Sequence, residues 1–170
     1  MTTNTPKPIT PTWKDLAECS RLGLLNRLID LSAVSQWVDG IIESENAPPA
    51  WAIELALHGT DWYRSIAILE SVPGKTSGLL PRQILVALVR RKWLANQLTA
   101  REVTRVVFAL LPDGWESTDH MSGIFQFDHI YFECLDTGHS LVTEEQADQM
   151  LSEFLSYYNV FDCLIPACVL

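Results

Sequence analysis

From Val106 to the end of the chain at Leu170 there is no lysine and no arginine. The same 65 residues carry Asp113, Glu116, Asp119, Asp128, Glu133, Asp136, Glu144, Glu145, Asp148, Glu153 and Asp162, a formal charge of −11. All twelve basic side chains lie in the first 105 residues with ten acidic ones, which sum to +2, so the net −9 belongs to the last part of the chain. Such an imbalance bears on partners, because surface charge steers association and says little about fold. Cysteine is also scarce: Cys19, Cys134, Cys163 and Cys168 are few and irregularly spaced, too sparse for a disulfide scaffold. Reduced thiols and a cytoplasmic location are expected. Cys168 stands third from the end, whereas a prenylation box needs cysteine fourth from the end, so no such anchor is expected. Long apolar runs are missing too. Ile84–Val89 and Val106–Leu111 are the longest, six residues each, far short of a membrane span.

What is present is a globular composition, 48% hydrophobic and 19% charged, which excludes a disordered chain. The opening MTTNTPKPITPT has no apolar core of a signal peptide and reads as a disordered tail over residues 1–11. Residues 12–170 read as one helical domain with an acidic C-terminal half.

Helical periodicity with capping signals runs along that domain. Thr12 can cap a first helix over roughly 13–31. Ser32 is placed to cap a second, in which Val34, Trp37, Val38, Ile41 and Ile42 follow the spacing of one buried face. Pro49 suits the first position of a short helix through Leu57, closed by Gly59. Thr60 opens another with Trp62, Ile66 and Leu69 inward, up to Val72-Pro73-Gly74. A helix from Pro81 to about Asn96 follows. Thr99 and Glu102 form a capping box for the next, with Val103, Val106, Val107, Leu110 and Leu111 as its stripe. Thr143 with Gln146 caps the last, whose stripe is Ala147, Met150, Leu151, Phe154, Leu155 and Tyr158. The fold class is all-α, an irregular bundle or stack of about six to seven helices. Residues 124–135 (IFQFDHIYFECL) allow either a small β element or a helix.

Four groups of residues invite chemistry. PGKTSG (Pro73–Gly78) suggests a phosphate loop, but that motif needs a glycine at position 69, where Leu69 stands, and a preceding strand. Asp119, His120, Asp128, His129, Glu133, Cys134, Asp136 and His139 are zinc-ligand types whose spacing matches no metal signature. No metal and no cofactor are expected. Trp51, Glu54 and His58 share a helix face by the i, i+3, i+4 rule and could form an acid–base pair. An exposed Glu–His pair is the simpler account. Arg82, Arg90, Arg91, Lys92, Arg101 and Arg105 suggest a helix-turn-helix, and residues 75–105 carry +6 with Glu102 the only acid. The strongly acidic chain opposes phosphate, and a basic face laid against the acidic half explains the same residues.

SQWVDGIIESEN (Ser35–Asn46) followed by PPAWAIELAL (Pro48–Leu57) resembles small helical bacterial proteins of the toxin-immunity kind, over about 25 residues from Ser35 to Gly59. The resemblance implies a cytoplasmic, non-enzymatic binding protein and assigns no functional residue. Charge leads the same way. A toxin that is a nuclease has a basic active site, and an acidic protein can occlude it with fast, steered association. The expected binding surface is Asp113, Trp115, Glu116, Asp119, Glu144, Glu145 and Asp148, with Trp115 as apolar anchor. The expected partner is a basic protein, and neither membrane nor nucleic acid is expected; the chain itself is read as monomer or dimer. Alternatives are an adaptor, a chaperone or a nucleic-acid mimic, or a small enzyme using Glu54 and His58 or the late His/Asp cluster.

Overall fold

The computed structural model describes residues 10–110 and 143–166. They form seven α-helices and a closing 3-10 helix, with no strand among them. The helices are α1 (Trp13–Leu25), α2 (Leu31–Ser44), α3 (Ala50–His58), α4 (Trp62–Ser71), α5 (Leu80–Leu94), α6 (Ala100–Leu110) and α7 (Glu144–Ser156). The 3-10 helix covers Tyr157–Leu164. The all-α expectation holds. The ambiguous 124–135 segment and the 1–9 part of the expected tail lie outside the described residues.

α1 begins as the sequence suggests, with Thr12 and Asp15 in a capping box. It stops at Leu25 rather than near residue 31. Gly23 is the reason. Ile29 turns back over it, and a Cβ at Gly23 would lie 2.9 Å from the Ile29 Cδ1 and Cγ1. The Leu28 and Ile29 amides donate to the Gly23 carbonyl, closing the turn. The α2 cap is consequently Asp30, not Ser32: Asp30 accepts from the Ala33 amide, and Ser32 donates its hydroxyl to Asp30 at 2.6 Å. Pro49 is likewise the N-cap of α3 rather than its first residue, and Asp61, not Thr60, caps α4. α4 is rotated from the expected stripe. Ser65, Ile68 and Leu69 are buried while Trp62 is exposed. The Thr99–Glu102 and Thr143–Gln146 boxes form as read.

α5 is the central helix. Its Ile84–Val89 run is buried at every position, because six consecutive apolar residues leave that part of the helix no polar face. It packs on α1, α6, α7 and the 3-10 helix. Two cores result. Cys19 and Leu22 of α1 join α5, α6, α7 and Tyr158, whereas Ala17 and Leu24 of α1 join α2, α3 and α4. Ile29 packs against both.

One polar knot fixes the entry to this bundle. Asp15 is fully buried. Its carboxylate accepts from the Thr12 amide (2.9 Å) and hydroxyl (2.8 Å), and from the Ser77 amide (2.6 Å) and hydroxyl (2.9 Å). Lys14 beside it donates to the Glu70 carbonyl at 2.7 Å. The 73–78 loop is thereby tied to α1. Ser77, within the PGKTSG stretch, spends both of its donors on Asp15.

Candidate partner-binding surface

α7 is amphipathic in a strict sense. Ala147, Leu151, Phe154 and Leu155 are buried, and Tyr158 of the 3-10 helix continues that stripe. Burial pushes the Tyr158 hydroxyl up to about 12, so it stays neutral. Glu144, Glu145 and Glu153 are all exposed, Glu145 and Glu153 on the side away from the stripe and Glu144 at the open first turn, with Gln149 donating to Glu153. Glu144 and Glu145 lie in the first turn, where the helix dipole favours them. Met150 is 38% exposed one turn before Glu153, and Tyr157 and Val160 are exposed apolar residues further along. Met150 was expected in the core. It sits at the edge of the stripe, and the buried side is already filled by Leu151 and Ala147.

Of the expected binding residues, Glu144 and Glu145 are exposed and Asp148 is half-buried on the same helix. Asp113, Trp115, Glu116 and Asp119 lie outside the described residues. Glu153, Met150 and Tyr157 were not singled out from sequence. Helical periodicity gives no rule for which edge residue of a stripe faces water.

The basic stretch of α5 meets the acidic end of the chain. Arg90 lies 3.0 Å and Arg91 3.8 Å from the same Asp162 oxygen, in the 3-10 helix. Trp93 donates its indole N–H to the Ser152 hydroxyl of α7 at 3.0 Å. These contacts hold the last two elements on α5 and engage two of the arginines that suggested a helix-turn-helix. Arg90 and Arg91 of α5 are directed to Asp162, and no salt bridge among the described residues involves Glu144, Glu145 or Glu153.

The enzyme candidates separate. Trp51 is buried and stacks on Trp37 at 5.7 Å, so it belongs to the core. Glu54 faces solvent and lies 3.7 Å from Arg64 of α4. No Glu54–His58 hydrogen bond occurs among the described residues, so the expected pair does not form: the Arg64 guanidinium is the nearer charge complement. Cys19 is buried, and desolvation together with the Glu18 charge pushes its thiol up to about 12, a chemically inert state. Among the described residues no three His, Cys, Asp or Glu side chains gather to hold a metal. The late His/Asp cluster from Asp119 to His139 lies outside them. No helix of the described residues is long and apolar enough to cross a membrane.

Against protein-family models, curated proteins and solved structures, the chain shows no match.

Proposed function

We propose that this protein is an inhibitor of the immunity kind, binding a basic toxin domain through its acidic C-terminal half. The observation that carries the reading is the exposed surface of α7, where Glu144, Glu145 and Glu153 all face solvent and the exposed Met150 stands one turn before Glu153. Interfaces of this type combine an apolar anchor with a charged rim, and the rim sets the speed of encounter. The chain's own Arg90 and Arg91 are held by Asp162, and among the described residues no salt bridge engages Glu144, Glu145 or Glu153. Asp113, Trp115, Glu116, Asp119 and Asp148 complete the proposed surface, with Trp115 as a second anchor. A nuclease suits the charge best among toxin activities, because its phosphate-binding cleft must be basic.

The test is association kinetics with a partner captured from the native host. Glu144→Gln, Glu145→Gln and Glu153→Gln together should slow association about tenfold at low salt, with the effect fading as salt rises. Met150→Ala and Trp115→Ala should raise the dissociation rate instead. Glutamine is chosen over lysine so that the first turn of α7 is not set against the helix dipole. An association rate indifferent to salt and to the triple variant would place the interface elsewhere.

A further inference from the structure

The end of α1 is built in an unusual way. Leu28 donates to the Gly23 carbonyl at 2.8 Å and Arg27 to the Leu24 carbonyl at 3.1 Å. That pair of bonds requires the intervening residue to be left-handed, and Arg27 has φ 57°. Glycine is the usual occupant, with asparagine next, because a larger side chain crowds the backbone there. α5 ends in the same motif: Gln97 donates to Lys92 and Asn96 to Trp93, with Asn96 at φ 55°. α5 thus uses a residue suited to the position, and α1 does not. An arginine kept where glycine fits better calls for something its side chain does.

Arg27 lines an open groove of about 590 Å³ between the end of α1, the start of α2, Trp62 of α4 and Lys92 of α5. Leu24, Leu28 and Leu31 give it an apolar floor, and Trp62 is 37% exposed as one wall. Neither Arg27 nor Lys92 forms a salt bridge among the described residues. Asp30 is the one carboxylate lining the groove. Its Oδ1 accepts from the Ser32 hydroxyl and the Ala33 amide, and these bonds, with a smaller contribution from the Lys92 charge, hold its carboxyl below the ordinary range. Two cations, an aromatic wall and an apolar floor in a groove of this size match the usual make-up of a small-ligand site.

We propose that this groove binds a small organic anion with an apolar or aromatic body. Arg27 and Lys92 hold the anionic head, and Trp62 and the leucine floor take the body. A planar guanidinium suits a carboxylate or a phosphate by paired hydrogen bonds. The site is separate from the α7 face and does not depend on the reading given to that face.

Titration of the full chain with phenyl phosphate and with octanoate tests this, using benzyl alcohol as the neutral control and amide NMR shifts to locate the site. Saturable binding of at least one anion is expected, with shifts at Arg27, Ser32, Trp62 and Lys92 and none from benzyl alcohol. Arg27→Gly is the informative variant. It should weaken binding about tenfold while the melting temperature holds or rises, since glycine suits the left-handed position. A merely structural arginine at a helix end would give no binding to lose. Lys92→Gln should weaken binding similarly without touching the α1 turn. Absence of saturable binding of either anion up to about 10 mM, or an affinity unchanged in both variants, overturns the proposal.

Discussion

Asp15 shows how a single residue can decide the local structure of two segments. Burial alone would push its carboxyl up. The hydrogen bonds from the Ser77 and Thr12 amides and hydroxyls outweigh that and hold it below its ordinary range. The folded state therefore binds the proton less readily than the unfolded chain. The stability this contributes is complete above the unfolded value, about pH 4, and is lost as pH falls through the depressed folded value. Asp15→Asn replaces one accepting oxygen by a donor that faces the Thr12 or Ser77 donors. It should cost about 1–3 kcal/mol, and denaturant unfolding of the variant should lose part of the acid sensitivity seen in the wild type. Equal stability of the two proteins at pH 7 would show that the knot contributes little.

At the scale of elements, two joints hold the arrangement. The first is the α1–α2 turn, in which Gly23 makes room for Ile29 and Ile29 links the two cores. Gly23→Ala would place a methyl 2.9 Å from Ile29 and 3.3 Å from Leu85. Alanine is the better helix former by about 1 kcal/mol, yet overpacking of this kind costs about 1–3 kcal/mol, so a net loss of stability is expected. A melting temperature above wild type would mean that Ile29 moves aside freely. The second joint is Asp162 with Arg90 and Arg91, which fastens the 3-10 helix to α5. The Arg90 and Asp162 side chains are 21% and 25% exposed, so the pair is shielded from water more than a surface ion pair is. A double-mutant cycle over Arg90→Ala and Asp162→Ala should give a coupling of about 1 kcal/mol or more. A coupling near zero would leave apolar packing of Tyr158 and Ile165 as the main restraint on this end.

For the whole molecule, the formal −9 is distributed so that positive charge stays in the first 105 residues. Folding brings a share of the two signs together at Asp162 and leaves Glu144, Glu145 and Glu153 exposed. The helix-turn-helix reading of α5 and α6 fares accordingly. α5 is the core of the bundle, and Arg90 and Arg91 are engaged within it. Duplex DNA should not bind below micromolar concentration at physiological salt, because an acidic chain lacks the positive field that supplies non-specific affinity. An electrophoretic shift at submicromolar protein that is weakened by Arg101→Ala and Arg105→Ala would revive that reading.

The sequence by itself determined the helical class, the Thr12, Thr99 and Thr143 caps, and the buried stripes of α2, α6 and most of α7. These are local matters: a capping box spans four residues, and a 3.6-residue period needs only the segment that carries it. The central place of α5 was also legible in principle, since Ile84–Val89 leaves no polar face. Tertiary structure decided the rest. The end of α1 depends on Ile29 closing over Gly23, and the shift of the α2 cap from Ser32 to Asp30 follows from that turn. Which side of α4 is inward, and whether Met150 is covered, depend on neighbouring helices that supply or withhold a surface. The candidate sites divide in the same way. The excess of acid was countable along the chain, but the exposure of Glu153 and Met150 was not. The groove of Arg27, Trp62 and Lys92 joins residues from helices far apart in sequence, and only packing of α1, α2, α4 and α5 brings them to one place.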